Sequence, residues 1–364
     1  MTNKLRLSLL LSIVFTLPAF ISSAAQNPIS NPQLWTHYTI NNGLPDNQVR
    51  QVLEDADGSL LIVTLNSGIY RYDGLQFQPL SINAELPTLF IQQVIKDLQN
   101  RLWIACNYSG LWIYDRGELS AFQYNHLFKD QHFAALFVDK QGNIWIDINQ
   151  VGLFRYDGSK CENVTEKYDL PREDIVQIQQ PKDFSYNFLF VNAGLYRFDF
   201  YGDNQLTHAL KNDPQILNFH IAQNGDTYLV RKGKGIIHFS EQQEIFILNQ
   251  PEMNEWIFDF FLEDSSGKTW FCWNNSIYCY DRDQLYSYSP GKFKHGRPFQ
   301  DRFQNTWFAT DNGLFKYINS PVKSWSFPQS KLKSIPHSLS NSTNSFLFQD
   351  QQGKLWFTDD DQRL

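Results

Sequence analysis

Three features of the chain predict an all-β protein built from one short repeated unit. Aromatic residues make up 16% of its 364 residues, with 30 Phe, 17 Tyr and 10 Trp against 2 Met, and flat rings pack well on pleated surfaces. A large residue recurs after a turn at Leu61, Trp103, Trp145, Phe188, Tyr228, Trp270, Trp307 and Trp356, at spacings of 42, 42, 43, 40, 42, 37 and 49 residues. Around each lie short apolar segments divided by turn residues, as in VDKQGNIWIDINQVGLFRYDG from Val138. A period near 42 residues with several short strands per unit is the signature of a propeller blade. The predicted fold is a seven-bladed β-propeller of four-stranded antiparallel blades, followed by a partial eighth repeat.

Within a unit each residue type has a mechanical job. Asp139-Lys140-Gln141-Gly142 is a four-residue turn, with the acid first, where its carboxylate can accept a backbone N–H, and glycine last. It joins strand a to strand b. Strand b, residues 143–148, is apolar on both faces, as a strand sandwiched between neighbouring blades must be. Gly152 turns the chain into strand c, and Asp157-Gly158 turns it into an outer strand d. The same acid recurs in EDADG from Glu54, EDSSG from Glu263 and QDQQG from Gln349. A reaction needs one such group rather than a copy in every unit, so the acid is read as architecture.

The chain begins with Lys4 and Arg6, an apolar run from Leu7 to Phe20 and small residues up to Ala25. Residues 1–25 read as a secretory signal cut before Gln26, which places the mature chain in the periplasm or outside the cell. A retained membrane anchor is the rival reading, opposed by the short run and its Pro18. Leu34–Ile40 reads as an outer strand that closes the ring, so the propeller spans 34–317. Residues 318–344, rich in Ser, Pro and Lys, form a linker in which Val322–Phe327 could be the closing strand of a second propeller. Residues 345–364 then start that propeller as a truncated repeat, and the chain reads as a fragment.

Composition excludes several classes of function. A net charge of -7 and a pI near 5.6 leave no basic field for nucleic acid or for an anionic membrane surface. No later segment is long and apolar enough to span a bilayer. The eight His show no HxxxH or HExxH spacing, so neither metal nor cofactor is expected. Among the four Cys, Cys272 and Cys279 flank the turn WNNS and either bridge across a hairpin or stand as two unpaired thiols.

The first unit, GLPDNQVRQVLEDADGSLLIVTLNSGIYRYDG from Gly43 to Gly74, resembles the two-component regulator propeller repeat, whose pattern runs GLxxNxVxxIxxDxxGxLWIxTxxGLxxYDG. The resemblance covers nearly all of the mature chain. It is strong in units one, two, three, six and eight, weaker in seven, and degraded in four and five, where Asp183 lacks its glycine and Gly225 its acid. It implies the exported, non-catalytic, ligand-sensing input region of a bacterial receptor. Such receptors commonly carry two propellers, an immunoglobulin-like domain, a membrane span and a histidine kinase, diguanylate cyclase or DNA-binding output, and the full-length protein would be a homodimer. No kinase His box, GGDEF-like run or helix-turn-helix occurs in this chain. An exported protein-binding scaffold is a second reading. A propeller lyase or glycosidase is a third, and would need an acid–base cluster that the scattered His37, His126, His132, His220 and His295 do not provide in sequence.

In a propeller the b-to-c and d-to-a connections share one face, away from the repeated acids. The candidate ligand residues are therefore Asn107, Tyr108, Asn149, Gln150, Trp273, Asn274, Asp311 and Asn312 in the b-to-c turns. Their amides can form paired hydrogen bonds and their rings can stack, which suits a small ligand such as a carbohydrate. Amides are also common in turns for purely local reasons.

Overall fold

Five consecutive buried residues need cover on both faces, and the second strand of each repeat finds it between neighbouring repeats. The computed structural model describes residues 27–128, 130–181, 185–199, 206–210, 213, 215–240, 243–249, 261–293, 296–319, 347–349 and 355–357. Among these it forms seven four-stranded antiparallel sheets, the blades of a propeller. Blade three shows the plan: strand a is Phe133–Val138, b Ile144–Ile148, c Gly152–Tyr156 and d Cys161–Asn163, each paired with the next. Strand b is buried throughout in this blade and in four others, at Leu60–Thr64, Leu102–Cys106, Tyr186–Phe190 and Thr306–Thr310. The described core is divided accordingly. Its buried apolar side chains form one cluster at each seam, so Trp145 of blade three packs with Tyr186, Phe188 and Phe190 of blade four.

The ring is closed by the start of the chain. Strand Trp35–Tyr38 pairs with Gly313–Tyr317 and supplies the outer strand of blade seven. Trp35 stacks on Tyr288 of blade six at 4.3 Å, and Tyr38 stacks on Trp307 at 5.8 Å. Gly313 is required here: a Cβ on it would lie 2.4 Å from the Tyr38 carbonyl oxygen, and its φ is +100°. Side chains also stitch the seams. Gln93 accepts from the Leu136 N–H at 2.8 Å and donates to the Leu136 carbonyl at 3.0 Å, and Gln179 does the same with Ile221 at 2.8 and 3.2 Å.

The turn acids have a larger role than capping a turn. Asp97, Asp139, Asp264 and Asp301 accept the indole N–H of Trp103, Trp145, Trp270 and Trp307, six residues on, at 2.8 to 2.9 Å. Asp139 Oδ1 takes the backbone N–H of Gln141 and Asn143, while Oδ2 takes Asn143 Nδ2, the Trp145 indole and the Tyr186 hydroxyl of blade four. Burial pushes the Asp264 carboxyl up, but hydrogen bonds from Ser266, Trp270 and Lys268 outweigh it and hold the group below the usual carboxylate range. Blade one has Leu61 in place of tryptophan, and Asp55 pairs instead with Arg71 at 2.7 Å.

The pairing register settles the cysteines. Cys272 lies opposite Ile277 and Cys279 opposite Trp270, so the two thiols are diagonal neighbours on one face and not a cross-strand pair. Diagonal positions sit about 7–8 Å apart, beyond disulfide reach, and both residues are buried with no disulfide joining them. The bridge considered from sequence is therefore absent. In a second compact unit, Ser320–Leu364, strands Leu347–Gln349 and Leu355–Phe357 form an antiparallel hairpin. The signal segment 1–25 and Val322–Phe327 lie outside the described residues, as does nearly all of the linker 318–344. No described helix is long and apolar enough to cross a membrane.

Deleting residues 27–40 should lower stability by several kcal/mol in urea melts, because it removes a paired strand and two stacked rings. Asp139→Asn should cost roughly 2–3 kcal/mol, since an amide nitrogen placed at either oxygen confronts donors. Asp55→Asn, which weakens a half-exposed ion pair, should cost at most about 1 kcal/mol. Equal losses in the two variants would show that the buried indole contact carries no special weight.

Candidate functional site

The repeated acids occupy the a-to-b turns at one end of the blades, and the b-to-c turns and d-to-a connections gather at the other. The described b-to-c turns rely on left-handed backbone. Asn192, Asn274 and Asn275 adopt it at φ +57°, +46° and +63°, which asparagine tolerates. Tyr108 and Gln150 adopt it too, at +61° and +59°. For an aromatic residue this conformation is strained by about 1 kcal/mol. Tyr108 is nevertheless 58% exposed, so packing in the core does not explain the strain.

The predicted residues divide by role. Asn107 is buried: its Oδ1 accepts from the Phe133 N–H of blade three at 3.1 Å, and its Nδ2 donates to Gln92 at 3.2 Å. It fixes the seam and thereby holds up Tyr108, whose N–H donates to the Gln131 carbonyl at 2.8 Å. Asn149 Nδ2 and the Gln150 N–H both donate to Asp174 of blade four. The Asn312 carbonyl accepts from His37 Nε2 at 2.7 Å, which ties that turn to the closing strand. Trp273 packs against the cluster between blades five and six, Asn274 is exposed and Asp311 is half-buried.

The fold brings Asn107, Tyr108, Asn149 and Gln150 together in adjacent blades two and three. It leaves Trp273 and Asn274 in blade six and Asp311 and Asn312 in blade seven. Tyr108 and Trp273 are thus separated by at least two intervening blades and do not form one clamp on a single sugar ring.

Sequence reasoning missed the partners supplied by the d-to-a connections. The His132 ring meets Tyr108 edge-on at 6.1 Å, its backbone carbonyl accepts from the Asn149 N–H at 2.9 Å, and its Nδ1 is buried with no hydrogen-bond partner among the described residues. Arg50 lies over the half-exposed Phe90 ring at 6.0 Å. Arg50 and Gln92 occupy the position where strand a bulges in blades one and two, opposite no residue of strand b.

Asp147 is the most unusual of the missed residues. It sits in a fully buried strand, 1% exposed, where Val63, Ala105, Leu189, Val230, Cys272 and Ala309 stand in the other blades. It accepts the Ile175 N–H of blade four at 2.7 Å. Burial pushes its carboxyl up to about 7, with the neighbouring Asp174 adding to the rise against the Ile175 hydrogen bond.

No metal-ligating group of three or more side chains occurs among the described residues. The described histidines are spread over the ring, except that His220 and His238 both pack on Tyr228. His132 is on the b-to-c face, His37 is in the closing strand, and His220 and His238 are buried near the a-to-b end of blade five.

No family profile matches the chain, and no curated protein matches it in sequence. Solved structures do share its fold. The extracellular domain assigned to the hybrid two component system BT3049 of B. thetaiotaomicron is similar with a TM-score of 0.65 and 21% identity, over 90% of this chain and 47% of that one. The extracellular domain assigned to BT4673 of the same organism gives 0.63 and 17%, over 89% and 44%. A streptogramin B lyase gives 0.61 and 14%, over 78% and 97%. The chain spans about half the length of the two extracellular domains it matches. At these identities the likeness establishes a shared propeller fold.

Asp147 gives stability a pH dependence. Folded protein keeps the Asp147 proton up to about pH 7, whereas unfolded aspartate releases it near 4, so stability present below pH 4 is lost as pH rises through 7. The full loss is on the order of 4 kcal/mol. His220 acts in the opposite sense. Burial lowers it to about 4, so its contribution is lost as pH falls from about 6.5. Asp147→Asn should therefore gain stability relative to wild type as pH rises from 5 to 8 in parallel urea melts, and His220→Gln should gain as pH falls from 6.5 to 4.5.

Proposed function

We propose that the chain is a non-catalytic, ligand-sensing propeller from the exported input region of a bacterial signal-transduction receptor, with its ligand bound on the b-to-c face around Tyr108. The strained, exposed Tyr108 carries this reading. Backbone strain persists only where surrounding structure enforces it, and it concentrates at functional sites. Asn107 and Gln131 hold the ring up, His132 meets it edge-on, and Gln150 stands in the b-to-c turn of the next blade. An exposed ring flanked by hydrogen-bonding groups suits a carbohydrate, which offers apolar C–H faces and hydroxyls together.

The shared fold with extracellular domains of two component systems supports a receptor role. On this reading residues 1–25 are removed on export to the periplasm and 34–317 form the sensing propeller. Residues 318–344 link it to a second propeller begun by 345–364, and a kinase or cyclase output completes a homodimeric receptor. The candidate ligand residues remain Asn107, Tyr108, Asn149 and Gln150 as one group, with Trp273, Asn274, Asp311 and Asn312 as a second.

The test is a panel of oligosaccharides screened by melting shift and calorimetry against the wild-type chain and Tyr108→Gly. Glycine relieves the left-handed strain, so the variant should be more stable by up to about 1 kcal/mol while binding at least ten-fold more weakly. A ligand that binds both proteins equally would remove Tyr108 from the site. A protein partner captured with no small-molecule response would favour the scaffold reading.

A further inference from the structure

Resting on that reading, the seam between blades three and four bears on how the site is regulated. Asp147 and Asp174 approach this seam from opposite sides. Asp147 lies near the end of strand Ile144–Ile148 and accepts the Ile175 N–H at 2.7 Å, and so fixes the first residue of strand a in blade four. Asp174, immediately before Ile175, accepts from the Asn149 side chain and from the Gln150 N–H at 3.2 Å. The Asp174 carbonyl accepts the Val191 N–H of blade four at 2.9 Å. One short segment thus grips both the buried acid and the turn that carries two candidate ligand residues.

Among the described residues, the charges around Asp147 offer it no counterion. Its cross-strand partners are Ala135 and Leu153. Arg155, two positions along strand c, is drawn towards the other end of the blade, over the Trp145 ring at 5.9 Å. His132 precedes strand a and turns its ring to Tyr108. Arg172 and Glu173 are exposed, and Glu173 acts on Tyr196. Strands Ile175–Gln179 and Tyr186–Phe190 of blade four contain no charged residue. Asp174 is therefore the charged group that bears on Asp147, and it carries the same sign.

We propose that this seam is a proton-operated latch: with a proton on Asp147 it holds the Asn149–Gln150 turn closed, and release of that proton to solvent sets two carboxylates against each other and frees the turn. The device needs a carboxylate with almost no access to water, a like charge across the seam and a shared backbone segment. All three are present, and the other blades put an uncharged residue at the Asp147 position. The site would then be ordered in mildly acid surroundings and loosened in alkaline ones.

The latch can be tested without any ligand, so its failure leaves the sensing proposal standing, while failure to find a ligand leaves the latch measurable. Amide hydrogen exchange at Gln150 and Ile175 is followed in the whole chain at pH 5.5 and 8.5, corrected for the intrinsic pH dependence of exchange. Wild type should lose at least ten-fold of its protection at the higher pH. Asp147→Asn, which keeps an acceptor oxygen for Ile175, should show no such loss, and Asp174→Asn, which removes the like charge across the seam, should shrink the loss and move its midpoint to lower pH. A carbon-detected titration of aspartate carboxyls in wild type guards against a variant that fails to fold: one carboxyl should titrate close to pH 7. Unchanged protection between the two pH values, the same loss in Asp147→Asn, or no aspartate titrating above pH 6 would each overturn the latch.

Discussion

A buried aspartate that must answer an indole N–H sets the conditions for the rest of the ring. A large flat residue in strand b fills the seam between blades, and tryptophan fills it best, but its N–H cannot be buried without an acceptor. The turn before strand b supplies one. A carboxylate six residues upstream has two oxygens, one facing the backbone N–H groups of its own turn and the other facing the ring. Asparagine could serve only one side. The same four atoms thus fix the turn, the start of strand b and the depth of the ring in the seam, and in blade three the Tyr186 hydroxyl extends the contact to the next blade.

The repeats that lack the pair show what is being conserved physically. Leu61 in blade one has no N–H to satisfy, and the carboxylate of Asp55 turns to Arg71, which stands opposite Leu61 on strand c. In blade five the acid position is Ala222 and the ring is Tyr228. There His238, opposite Tyr228, stacks on it at 4.8 Å and places Nε2 3.0 Å from Asp226. The seam face is therefore packed by different residues in different blades, and the degraded sequences of units four and five still form four-stranded sheets.

The architecture was legible because it repeats. Eight copies of one pattern fix the strand period, the turn acids and the doubly buried strand b, even where single copies are weak, and the outer strand near Trp35 could be read from its place before the first unit. The indole bond was not legible, because sequence shows a turn acid and a tryptophan but not the curl that brings them together. The cysteine pairing stayed open for a related reason: flanking a turn does not determine register, and a hairpin with Trp273 opposite Ser276 sets them on a diagonal. For the candidate site, the sequence shows only which residues stand in b-to-c turns: it does not show that Asn107 and Asn149 also hold seams, and the d-to-a partners His132 and Asp174 carry no repeat signal. Asp147 did leave one, as the sole acid in any described strand b, and it is visible only once the strands are aligned.

These departures are informative because every unit must meet the same packing demands. A residue that meets them badly in one unit alone imposes a local cost that architecture does not explain. Tyr108 holds an aromatic ring in left-handed backbone where blades three, four and five use glutamine, asparagine and glycine, and Asp147 buries a carboxyl where other blades use an aliphatic residue, alanine or cysteine. Both lie in blades two and three, both reach the b-to-c face, and Asn149 links them: its backbone N–H reaches His132 beside Tyr108, and its side chain reaches Asp174 beside Asp147. Two independent departures joined through one residue argue that this arc of the ring is specialised, while the end that carries the repeated acids is devoted to holding the blades together.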